Sequence, residues 1–108
     1  MLSLFGRKKR KKYDVLVAYG EAMGVFDVWQ MDRFARKLKI GRKVAVVGTR
    51  PAESVFKESA EKGVEVEVAE DFAGRALELK RQLEAENKQV LLKKLDEVAD
   101  RSIMQDPC

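Results

Sequence analysis

The residues best equipped for chemistry in this chain are cations, and their grouping suits the holding of phosphates. Arg7, Lys8, Lys9, Arg10, Lys11 and Lys12 form an unbroken basic run near the start. Adjacent charges of one sign displace counterions from a nucleic-acid backbone, so binding would be strong at low salt and weak at high salt. Leu2, Leu4 and Phe5 precede the run, which makes an anionic membrane surface a second candidate partner; a merely solubilising tail is the third reading. Arg33, Arg36, Lys37, Lys39, Arg42 and Lys43 form a second group near the end of a predicted helix, where cations also offset the helix dipole. The third group is Gly48-Thr49-Arg50. There glycine would let the backbone approach a ligand, Arg50 adds charge, and a helix opening at Pro51 offers free N–H groups, so the three together are a candidate anion site. The same residues also suit an ordinary strand-to-helix turn, and neither G-x-G-x-x-G nor G-K-[ST] is present.

Bond-breaking chemistry has little to work with. The chain has no His and one Cys, at position 108. That removes Ser-His and Cys-His dyads, zinc clusters and any intrachain disulfide. No catalytic residue, metal ligand or cofactor is predicted. Trp29 and Phe34 are assigned to the core rather than to base stacking.

The cations need a scaffold, and composition says that one is present. Apolar residues make up 45% of the 108 and charged residues 37%, as suits a single folded domain with a charged surface. Removing the six arm residues from the 22 Lys and Arg leaves 16, against 18 Asp and Glu, so the domain without its arm is slightly acidic. Any attraction for nucleic acid therefore rests first on the arm. Abundant Glu and Lys with a single Asn point to a thermophilic source. The opening residues are too short for a signal-peptide core and no apolar run is long enough to span a membrane, so a cytoplasmic location is expected.

Residues 1–12 read as a flexible basic arm, 13–71 as an α/β core, 72–101 as a long C-terminal helix and 102–108 as a tail. Asp14-Val15-Leu16-Val17-Ala18-Tyr19 and Lys43-Val44-Ala45-Val46-Val47 are continuous apolar runs, the pattern of strands buried on both faces. Val64-Glu65-Val66-Glu67-Val68 alternates and reads as an edge strand whose glutamates face outward. Between them, Met31, Phe34, Ala35 and Leu38 mark a helix stopped by Gly41, and a second helix runs from Pro51 to Lys62, stopped by Gly63. Alternation of strand and helix predicts a small three-layer, Rossmann-like α/β domain with three to four mostly parallel strands. Residues 20–30 remain open between a backward extension of the first helix and a strand, Val25–Trp29, hairpinned onto the first.

The last segment is harder to place. Asp71 could cap a helix carrying Ala76, Leu77, Leu83, Val90, Leu91, Leu95 and Val98 as its stripe. Running from Phe72 to Arg101 it would be about 45 Å long at ~1.5 Å per residue. It must then either break near residues 84–89 or pack on a partner. Two doubly apolar strands in so small a sheet call either for the hairpin strand or for a second copy of the chain, and a homodimer through this helix is expected.

Two local resemblances bear on function. Lys43-Val44-Ala45-Val46-Val47-Gly48-Thr49-Arg50 resembles the strand and turn of the DNA-processing Rossmann-like family, over these residues only; that family's second glycine-bearing turn has no counterpart here. If Val25–Trp29 is a strand, Asp14 followed by Asp27-Val28-Trp29 is similar to the D…(D/E)xK core of restriction-endonuclease-like nucleases. That resemblance implies a Mg²⁺ site on two carboxylates, with Trp29 standing where the lysine belongs. The leading expectation is a non-enzymatic accessory protein contacting nucleic acid through its arm. The alternatives are a degenerate metal-dependent nuclease and a pure protein–protein interaction module.

Overall fold

A computed structural model describes residues 12–98. They form four strands and four helices around a single sheet. Strand β1 spans Val15–Gly20, β2 Arg42–Val47, β3 Val64–Val68 and β4 Val90–Lys94. Helix α1 spans Val25–Lys37, α2 Glu53–Lys62, α3 Phe72–Ala85 and the short α4 Leu95–Val98. Every pairing is parallel and the strand order is β3-β2-β1-β4.

Burial on both faces explains the apolar runs of β1 and β2, the two central strands. Leu16, Ala18, Ala45 and Val47 point to one face, where they meet Val28, Met31 and Ala35 of α1, Val55 of α2 and Leu95 and Val98 of α4. Val15, Val17, Val44, Val46 and Val90 point to the other, where Ala76 and Leu83 of α3 cover them. The result is a three-layer domain. On the edge strand β3 the glutamates leave the first core, as the alternation predicts, and each finds an arginine. Glu65 accepts two hydrogen bonds from Arg42, at 2.7 and 3.0 Å, and Glu67 is bonded by Arg75 of α3.

The long C-terminal helix is not formed. Helix α3 begins at Asp71, whose side chain accepts from the Gly74 N–H, and ends after Ala85. Asn87 takes a left-handed conformation, φ 68°. The amides of Asn87 and Lys88 then donate back to the carbonyls of Glu84 and Leu83, the two bonds of a Schellman termination. Val90, Leu91 and Leu92 continue as β4, which lies in register with β1 from Val15↔Val90 to Tyr19↔Lys94. Both arguments for a second copy of the chain thereby find their answer within it. The overlong helix is two elements, and the flank of β1 is filled by β4.

The open segment resolves as helix. Gly24 is the N-cap of α1, its N–H donating to the Asp27 carboxylate at 2.8 Å. Since Val25–Trp29 lies in α1, the strand on which the nuclease-like spacing depends is absent. Asp14 precedes β1 and Asp27 follows it, so the length of a six-residue strand, about 20 Å at ~3.3 Å per residue, lies between them. Among the described residues no group of three or more acidic, His or Cys side chains could hold a metal ion. Helix α1 also stops earlier than Gly41: Lys39 takes the left-handed position, φ 59°, and Ile40 N–H returns to the Ala35 carbonyl. Pro51 stands before α2 rather than in it, since α2 starts at Glu53. Gly63 does end α2, at φ 71°.

Candidate functional site

Parallel strands give the sheet two unlike ends. At the amino ends, Lys12 leads into β1, and the Asp14 carbonyl accepts from the Arg42 N–H that opens β2, at 3.4 Å. The root of the basic arm therefore adjoins the second basic group. Arg7 to Lys11 lie outside the described residues; Lys12 is exposed.

The second group divides by the partners its members find. Lys43 is turned inward: its ammonium donates to Asp32 Oδ1 at 2.9 Å and to the Lys62 carbonyl at 2.6 Å, and its side chain is only 11% exposed. Arg36 bonds the other oxygen of Asp32, at 2.9 Å. Burial pushes the Asp32 carboxyl up, but hydrogen bonds and charge from Lys43 and Arg36 outweigh it and hold the group below the ordinary carboxylate range. Arg42 is held by Glu65; their hydrogen bonds raise the arginine and lower the glutamate. Arg33, Lys37 and Lys39 are exposed and form no ion pair with any described residue.

The structure adds a residue that was assigned to the core. Trp29 is 50% exposed on α1, with its indole N–H donating to Glu58 of α2 at 2.6 Å. Trp29, Arg33 and Lys37 stand at successive four-residue steps, which put them on one helix face. The signal was in the sequence, since Val28, Met31 and Ala35 already fill the buried face of α1. Phe34, by contrast, packs against the core.

The carboxyl ends carry the Gly48-Thr49-Arg50 turn. Two of its amides are engaged: Gly48 N–H reaches the Gly20 and Glu21 carbonyls at 3.1 and 3.0 Å, and Thr49 N–H the Glu21 carbonyl at 2.8 Å. The Thr49 hydroxyl donates to the Glu21 carboxylate at 2.6 Å. Arg50 sits over the Phe56 ring, 5.0 Å from its centroid. The turn is thus tied to the end of β1, with the Glu21 carboxylate bonded to its hydroxyl. Gly48 is required by packing, because a Cβ there would lie 2.8 Å from the Phe72 ring and 3.1 Å from Glu21 Oε1. Gly48→Ala is expected to cost about 1–3 kcal/mol, the range for overpacking; a thermal melt matching that of the unsubstituted protein would contradict this.

Between the ends of β1 and β4 lies a crevice of about 370 Å³. It is lined by Tyr19, Gly20, Glu21, Ala22, Phe72, Lys94, Leu95 and Asp96. The close approach of β1 to α4 depends on Gly20, where a Cβ would lie 3.0 Å from Leu95.

No protein-family model, curated protein or solved structure matches the chain. Among the described residues, no helix is long and apolar enough to cross a membrane.

Proposed function

We propose that this chain is a non-enzymatic accessory protein that holds single-stranded nucleic acid along α1 and the amino-end rim of its sheet, with the basic arm extending the contact. The observation that carries this reading is the half-exposed Trp29 in line with Arg33 and Lys37. An aromatic platform beside cations is what sequence-tolerant binding of single strands needs: bases stack on the ring while the cations take the phosphates. The stripe leads toward the rim where the root of the arm meets Arg42, so one strand could run from Trp29 to the arm. Arg33, Lys37 and Lys39, unpaired among the described residues, supply the domain's share of charge, whereas Arg42 and Lys43 are committed to carboxylates.

The chain has one Trp, so its fluorescence reports on this site alone. Titration with an unstructured oligonucleotide at low salt is expected to quench it saturably. The affinity should fall with salt by roughly 0.7 log units per log unit of salt for each phosphate contacted. Trp29→Ala is expected to weaken binding about tenfold, within the ~1–3 kcal/mol of one stacked base. Deleting residues 1–12 should flatten the salt dependence. Unquenched fluorescence, or equal retention of the oligonucleotide by the truncated and complete proteins at low salt, would overturn the proposal.

A further inference from the structure

The crevice at the carboxyl ends of β1 and β4 shares no lining residue with the proposed nucleic-acid surface, and its position and lining suit a small ligand. The chain adds β2 and β3 to one side of β1, then returns to place β4 on the other. In open parallel sheets that reversal leaves a gap beyond the strand ends, where ligands bind. A volume of about 370 Å³ is at the lower end of the ~300–1,000 Å³ usual for such sites.

The lining decides the class of ligand. Phosphates are disfavoured by the negative charge of the carboxylates on the neighbouring turns. Asp27 closes the start of α1 by accepting from Gly24 N–H at 2.8 Å, and Glu21 holds Thr49 at 2.6 Å. The charged groups around the crevice are Glu21, Asp96 and Lys94. The side chains of Asp96 and Lys94 make no hydrogen bond or ion pair with any described residue. Two anions and one cation therefore face the same space, beside the rings of Tyr19 and Phe72, whose centroids are 6.4 Å apart. A ligand that satisfies all of them carries two cations, one carboxylate and an aliphatic stem. Rings beside the crevice favour the cations further, since a positive group is drawn to an aromatic face.

We propose that the switch-point crevice binds a free basic amino acid. Lys94 takes its carboxylate, Glu21 and Asp96 take its two cations, and the stem lies against Phe72 and Leu95. The inference is independent of the nucleic-acid reading, which rests on Trp29, Arg33, Lys37 and the arm and on none of the residues lining the crevice.

Calorimetric titration of the full chain with L-arginine tests it, with L-leucine and L-glutamate as comparisons. Arginine is expected to bind saturably, leucine more weakly and glutamate not at all. Asp96→Asn and Lys94→Gln should each weaken arginine binding about tenfold, the loss of roughly one charge-assisted hydrogen bond. Neither side chain has a partner among the described residues, so the melts of these variants should match that of the unsubstituted protein. Amide resonances of Gly20, Ala22 and Leu95 should move on titration, and the Trp29→Ala protein should bind arginine undiminished, which separates this site from the nucleic-acid surface. The proposal is overturned by absence of both heat and resonance shifts at millimolar arginine, by glutamate binding as well as arginine, or by unchanged affinity in both crevice variants.

Discussion

Asp32→Ala is expected to lower the unfolding free energy by about 3–5 kcal/mol, the cost of stranding one partner of a buried ion pair. The carboxylate lies on α1 and the Lys43 ammonium on β2, with side chains 10% and 11% exposed. Without Asp32, that ammonium keeps only the Lys62 carbonyl among the described residues. Replacing both partners by apolar residues, Asp32→Leu with Lys43→Met, should recover most of the loss, because no charge is then buried. Denaturant titrations of the single and double variants decide the matter; a single variant within about 1 kcal/mol of the parent would show that the pair carries no such weight. The pH dependence follows from the same geometry. Folding depresses the Asp32 pKa, so its contribution is fully present above the unfolded value of about 3.9 and is lost as pH falls through the lower folded value. In the double variant, this part of the acid sensitivity should vanish.

Leu16→Ala should cost a similar amount, about 3–5 kcal/mol, by a different route. Leu16 is fully buried on β1, where it packs in the cluster that joins α1, α2 and α4 to the sheet. Truncation loses the transfer energy of the removed carbons and leaves a cavity that two flanking strands cannot collapse to fill. Leu77→Ala, at a position 40% exposed on α3, is the control and should stay within about 0.5 kcal/mol. Against a total stability of roughly 5–15 kcal/mol for a domain of this kind, the Leu16 substitution alone brings unfolding within reach of mild heating. Equal midpoints for the two variants would show that β1 is not the centre of the core.

Much of the architecture was legible from runs and alternation. The doubly apolar β1 and β2 could belong only to the middle of a covered sheet, and the glutamates of β3 marked an edge. The C-terminal third misled for a physical reason. Val90, Leu91, Leu95 and Val98 recur at spacings that a helix also uses, and Leu and Lys are not among the residues enriched in strands. The deciding signal was Asn87, the one Asn of the chain, in the polar stretch between two apolar segments. Asparagine tolerates the left-handed conformation better than other non-glycine residues, and there it ends α3. Lys39 does the same for α1 with no sequence preference to announce it, so Gly41 drew the boundary too far along.

The candidate sites were less legible, because partners decide what a charge can do. Nothing in the order of residues distinguishes Lys43, turned into the core, from Lys37, left in solvent. Nor does the Gly48-Thr49-Arg50 sequence reveal that Glu21, on another turn, bonds its hydroxyl. Trp29 is different. Its place on the far side of α1 from Val28 and Ala35 could have been counted, and hydrophobicity alone assigned it to the interior.

The place of β4 beside β1 has a consequence for how the chain comes to be made. Asp14 and Gln89 are bonded at that junction across a separation of 75 residues, so β1 is completed by β4, the last strand among the described residues. While a ribosome is still extending the chain, β2 and β3 can settle on one flank of β1. The other flank stays bare until Val90–Lys94 emerges. Closure is thus a late, long-range event, and throughout elongation an apolar strand edge is open to whatever binds nascent chains.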